Sequence, residues 1–180
     1  MNSLTHLKKT ELLPLLIAPA LAALATFTPT PVLATATCGV VSENVLAPFP
    51  AGDFPSGSLN LRCRSNLPNW LLNTRVRGDS DLYVTKHTFQ AGGQTGWHSH
   101  PGPSLITVIE GTLTVYHDDC TSETFSAGES FTDLGCGDIH NVVNEGATEA
   151  IDVAVQIVPH GAMRREDKPD PGCPNVPPCP

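Results

Sequence analysis

Three histidines carry the first chemical signal. His98 and His100 are separated by a single residue, and His140 follows in the segment GDIHNVVN. Residues two apart on a strand leave the same face with Cα atoms about 6.5 Å apart. That separation lets two imidazoles converge on one ion at about 2.0–2.2 Å from each nitrogen, with the third supplied by a neighbouring strand. Imidazole ligation suits iron, nickel, copper and zinc about equally, so the residues do not name the ion. The other four histidines read as ordinary residues: His6 in the leader, His87 within a strand, His117 in a turn and His160 at the start of the tail.

The elements that must position these side chains read as strands. No sustained 3.6-residue apolar period runs through the chain after residue 36. Short β-branched runs occur instead at 82–89, 105–110, 112–117, 139–144 and 150–158, separated by turn signals at 90–93, Glu110-Gly111, 117–119 and 144–149. Regularly spaced short strands of this kind predict an all-β sandwich or barrel. VVSENVL and WLLNTRVR read as flanking strands, and APFPAGDFPSGS as loop. Trp97 alternates with His98, so it should point away from the ion and pack in the core. Gln156 shares a face with Asp152 and Ala154. That face is either solvent or the place where Gln156 hydrogen-bonds a ligand.

The start of the chain sets the compartment. Lys8 and Lys9 precede an apolar stretch over 12–25, and Ala34-x-Ala36 is placed for signal peptidase. This is the layout of a secretory signal peptide. The stretch falls short of the roughly 20 apolar residues that a membrane span needs, and Pro14 and Pro19 interrupt it. The domain plan is therefore a signal peptide over 1–36, a folded domain over 37–160 and a Pro- and Cys-rich tail over 161–180. Export without a stable membrane anchor after cleavage is the expectation. All six cysteines lie beyond residue 36 and no Cys-x-x-Cys occurs. An even number in an exported chain reads as disulfides, with the pairing open. At least one of Cys173 and Cys179 should tie the tail to the body. A net charge of −8 disfavours nucleic acid and anionic lipid as partners.

The order of these residues resembles the cupin superfamily. The family's first motif places a Gly six positions before His-x-His, then a Glu, then a Gly; here Gly92, His98, His100 and Gly111 match, and Ser104 occupies the Glu position. The second motif is carried by Gly128, Gly137, His140 and Asn144, with Leu134 roughly where a Pro belongs and one extra residue between the two glycines. The resemblance covers residues 92–144 and implies a double-stranded β-helix, a small jelly-roll barrel. It also implies a divalent metal held inside by His98, His100 and His140.

The family's Glu ligand does not carry over, because a neutral Ser104 hydroxyl is a poor ligand. Glu110 has the parity of position 104 but lies about 20 Å further along the strand. Three neutral imidazoles would leave the full 2+ charge on the ion, which favours a small anionic, chelating ligand. Three-histidine cupins are found among thiol and diketone dioxygenases, so the resemblance implies dioxygenase-like, inner-sphere chemistry. Iron(II) is the favoured ion, with zinc, manganese, nickel and copper as alternatives. Ser104, Gln156 and Asn144 are the candidates to touch substrate. Arg164 and Arg165 could meet an anion at the rim or simply be solvated, and nothing places Tyr83 or Tyr116. The competing reading is a non-catalytic binding or sensor cupin, with or without metal. Many cupins pair through sheet edges, so a homodimer is a further expectation.

Overall fold

A computed structural model describes residues 34–45 and 52–180. Of the expected signal peptide, residues 1–33 lie outside the described residues. At its far end, Ala34 bridges to Pro169 and Thr35 donates its backbone N–H to the Lys168 carbonyl at 3.0 Å. Thirteen strands and no helix occur among the described residues. In chain order they are β1 (Cys38–Asn44), β2 (Gly52–Phe54), β3 (Leu61–Arg64), β4 (Leu71–Thr74) and β5 (Ser80–Gln94). Next come β6 (His98–Ser99), β7 (Ser104–Glu110), β8 (Thr112–His117) and β9 (Ser122–Ser126). The last four are β10 (Ser130–Asp133), β11 (His140–Val143), β12 (Ala150–Pro159) and β13 (Glu166–Asp167).

Eleven of these strands form one sheet that wraps into two layers. In the first, β12 lies between β5 and β7, and β10 extends β7. In the second, β11 lies between β6 and β8, with β9 beyond β8 and β13 beyond β6. The strand β5 joins the layers: along Ser80–Phe89 it pairs with β12, and at Gln94 its partner is Val143 of β11. This is the double-stranded β-helix. Between the layers pack Phe89, Val108, Leu113, Val115, Val142 and Ala150, all nearly fully buried. Burying an aliphatic or aromatic side chain of this size contributes about 1.5–3 kcal/mol.

The expected turn at 90–93 is instead part of β5. Gly92 takes a positive φ of 74° and kinks the strand where it passes from one layer to the other. Gly93 lies against the β1 backbone, where a Cβ would stand 2.6 Å from the Gly39 carbonyl oxygen. Only glycines tolerate both demands. WLLNTRVR does not flank the barrel as one strand. Its Leu71–Thr74 part pairs with Leu61–Arg64 in a separate hairpin, leaving Leu67, Trp70, Leu71 and Leu72 exposed. The loop expected over 47–58 contains the short strand β2 on the edge of β5. Strands β9 and β10 escape the sequence reading because SETFS and SFTD are short and rich in hydroxyl side chains.

Trp97 is 1% exposed and packs with Tyr116, Val143 and Cys173 behind the second layer. Beyond β13 the tail runs over this surface as irregular chain and is tied down twice, by Cys38–Cys179 and Cys120–Cys173. Cys63 and Cys136 are unpaired and exposed.

Candidate metal centre

The local geometry follows from strand pairing. His98 of β6 and His140 of β11 are direct partners across the ladder, and His100 stands two residues on from His98. The three rings meet with centroids 4.3 Å apart for His98–His140, 4.7 Å for His98–His100 and 5.4 Å for His100–His140. One ring nitrogen from each lies within 4.8 Å of the others. Donors held at about 2.0–2.2 Å from a common ion stand about 3–4 Å apart, so the cluster could hold a metal ion with little adjustment.

Hydrogen bonds outside the triad aim the rings. His98 Nδ1 lies 2.8 Å from the Gly96 carbonyl, and His100 Nδ1 meets the Arg164 carbonyl. A carbonyl only accepts, so each Nδ1 carries the proton and each Nε2 keeps its lone pair, the arrangement metal-binding histidines adopt. The Gln156 amide nitrogen is 2.8 Å from the same His100 Nδ1 but has its own acceptor, the Arg164 carbonyl, at 3.2 Å. His140 Nδ1 is buried and has no hydrogen-bond partner. Burial holds the pKa of all three imidazoles below the usual histidine range, and His140 and Arg165 push His98 further down. The lone pairs are therefore not lost to protons at neutral pH, as metal binding requires. The donor set, the bonds that aim the rings and the orphaned buried nitrogen all fit a divalent ion.

The triad opens onto a cavity of about 240 Å³ whose far wall is built by β5 and β12. Ser104 and Gln156 both line it and both are 3% exposed. The face carrying Gln156 is thus interior rather than solvent. Its polarity is tolerated because Gln156 Oε1 accepts from Arg164 Nε at 2.9 Å while its amide group donates to the Arg164 backbone. Asn144, the third candidate to touch substrate, does not line this cavity. Its amide nitrogen is spent on the carbonyls of Phe89, Gln90 and Thr148, at 3.2, 3.0 and 2.7 Å, and its oxygen accepts from Gly146 N–H at 3.0 Å. It closes the 144–148 turn outside the cavity.

Other residues complete the cavity lining. His87 lines the cavity, with Nδ1 2.7 Å from Oδ1 of Asp152, its direct partner on β12. The signal was parity, since Thr85, His87 and Phe89 all face inward from β5. Arg164 and Arg165 also line the cavity. Arg164 stacks over Tyr83 at 4.1 Å and donates to Thr85 Oγ1 at 2.7 Å, while Arg165 donates to the Thr95 carbonyl at 2.7 Å. Tyr116 is occupied elsewhere: burial and a hydrogen bond to Glu145 push its hydroxyl up to about 12.

Sequence reasoning found no substitute for the missing glutamate, yet the fold brings a carboxylate beside the triad. Asp133, 6% exposed, is the direct β10 partner of Ser104 on β7. Its Oδ2 lies 3.6 Å from His100 Nε2 and its Oδ1 3.8 Å from His140 Nδ1. No motif marks it, because the contact depends on cross-strand register.

A family model for the cupin domain matches residues 85–155. A cupin domain from Bordetella pertussis Tohama I is 31% identical, covering 42% of this chain and 80% of that one, with a TM-score of 0.38. This chain is a member of the cupin superfamily. This cupin is also similar to a protein with a double-stranded β-helix domain from Klebsiella pneumoniae, at 24% identity over 48% of this chain and 74% of that one, TM-score 0.43. Oxalate oxidase in complex with the substrate analogue glycolate shows 27% identity over 43% of this chain and 45% of the other, TM-score 0.38. No curated protein sequence matches it.

Proposed function

We propose that this cupin is exported, binds one divalent ion through His98, His100 and His140, and holds a small anionic molecule beside it for an oxygen-dependent oxidation. The observation that carries the reading is the meeting, in one cavity, of three imidazoles, two buried and one half-buried, with two arginines. Iron(II) is the preferred ion; bound there, it would supply Lewis acidity and a redox centre open to both substrate and oxygen. The chain's own residues supply the rest. Arg164, with Arg165 partly neutralised by its ion pair with Asp167, gives the cavity positive charge that draws in and orients an anion. Phe89, Ile106 and Val142 make the remaining wall apolar and limit the water beside the ligand. His87 is fixed by Asp152 through Nδ1, which leaves its other ring nitrogen to hydrogen-bond the ligand. The two disulfides support an oxidising, extracytoplasmic compartment.

The test is metal content by mass spectrometry on protein made in an oxidising compartment, beside a variant carrying both His98→Ala and His140→Ala. Near-stoichiometric metal in the parent and almost none in the variant is the expected outcome. Oxygen uptake should then follow addition of an enolate, thiol or catechol-type substrate. Firmly bound metal with no uptake across these classes would favour a binding or sensor role.

A further inference from the structure

The geometry points to Asp133 as a fourth, anionic ligand of the same ion, standing in for the glutamate replaced by Ser104. This rests on the three-histidine reading. A residue and its direct cross-strand partner project to the same face of a sheet with Cβ atoms about 4.5–5.5 Å apart. The Ser104–Asp133 pairing therefore delivers a carboxylate, from β10 rather than β7, next to the position left without one.

Three observations carry the inference. His100 Nδ1 is engaged by the Arg164 carbonyl, so Nε2 is the nitrogen offered to an ion, and that atom faces Asp133 Oδ2 at 3.6 Å. The separation exceeds a hydrogen bond but suits two donors that share one ion at about 2.0–2.2 Å each. Secondly, the carboxylate is nearly buried and poorly served: Oδ1 accepts from Gly135 N–H at 2.8 Å, and Oδ2 has only the Ser104 hydroxyl at 3.4 Å. A buried carboxylate without a cation or full hydrogen bonding is costly, and a metal ion relieves that cost. Thirdly, His140 Nδ1, buried and itself unpartnered, lies 3.8 Å from Oδ1. An unpartnered buried nitrogen and a carboxylate with one weak hydrogen bond thus stand side by side at the triad. The consequence for recognition is a charge of about 1+ on the loaded site rather than 2+, so a monoanion is sufficient to neutralise it.

Asp133→Asn tests the assignment, because the amide keeps an oxygen for Gly135 N–H and changes little volume. Metal-free parent and variant, both with disulfides intact, would be titrated with Co2+ against a competing chelator while the visible d–d bands are recorded. The variant should bind Co2+ at least about tenfold more weakly, the lower end of what even an outer partner costs. Its bands should change in position and intensity, as expected when an oxygen donor leaves. Parental affinity and bands in Asp133→Asn would overturn the assignment. Weaker binding with unchanged bands would overturn it too, placing Asp133 outside the coordination sphere. Either result leaves the triad standing if His98→Ala still abolishes Co2+ binding, whereas failure of the parent to bind Co2+ defeats the three-histidine reading itself. Thermal unfolding of the metal-free Asp133→Asn variant at the parent's temperature would confirm that the fold is retained.

Discussion

At the scale of single residues, the site is a set of groups whose ordinary chemistry is altered by burial. His98, His100 and His140 are held in the unprotonated form, first by loss of solvent and then by positive charge nearby, from the neighbouring imidazoles for His98 and His140 and from Arg165 and Arg164 for His100. A histidine with a depressed folded pKa binds fewer protons than in the unfolded chain at any pH between the two values. The unfolded state is then favoured by acid, so stability is fully present above about pH 6.5 and falls as the pH drops below it. The slope approaches about 1.4 kcal/mol per pH unit for each such imidazole. Denaturant unfolding of the metal-free protein from pH 7.5 to 5 should show this decline, and His98→Gln should make it shallower. His160 acts in the opposite direction, since its bond to Asp81 raises its pKa and its contribution fades as the pH rises. It is solvent-exposed, so the buried triad sets the sign. A stability that is flat or rises on acidification would contradict the burial of these rings.

At the scale of elements, two glycines bring the strands close enough to make the site. The β6–β7 connection carries Gly102, between His100 and Ser104, and the loop after Asp133 carries Gly135. A Cβ on Gly102 would collide with the Ile157 carbonyl of β12, and one on Gly135 with the backbone of Gly102 itself. The two loops and β12 therefore touch backbone to backbone, and this contact sets the spacing of His100 from Asp133. Overpacking of this kind typically costs about 1–3 kcal/mol. Gly102→Ala should lower unfolding free energy by that amount and weaken Co2+ binding as well. Gly78 and Gly161 have open space around the added carbon, though both take positive φ, so changes there should cost stability without affecting the metal. An effect of Gly102→Ala on stability alone would show that the loop contact does not position His100.

At the scale of the whole molecule, the tail is part of the machine rather than an appendage. Arg164 and Arg165 leave the end of β12 and turn back onto the cavity, the Glu166–Asp167 strand pairs with β6, and two disulfides anchor the remaining residues of the tail. Closing loops of these lengths is worth up to about 3–5 kcal/mol for each bridge, chiefly through the unfolded state. Reduction should therefore lower the denaturation midpoint substantially, as a comparison of melts with and without a reducing phosphine would show. Loosening of the tail should also weaken anion binding more than metal binding, because the arginines belong to the tail and the histidines to the sheet.

Much of this was readable in the chain order alone. His-x-His puts two imidazoles on one face of any strand, glycines recur where strands must turn or touch, and Trp97 takes the opposite parity to His98. These are local consequences of a two-residue repeat, and a single chain determines them. The strand of the second motif could be read as well, since GDIHNVVN offers one histidine on a short strand. What tertiary structure decided is every contact that depends on which strand lies beside which. Asp133 meets His100 because β10 pairs with β7; Asp152 holds His87 because β12 pairs with β5; the arginines reach the cavity because the tail folds back. Asn144 stands away from the cavity because the backbone around its turn engages both ends of its amide. Strand parity is set by neighbours in sequence, whereas cross-strand register is set by the closure of the barrel, and the anionic half of this site belongs to the second.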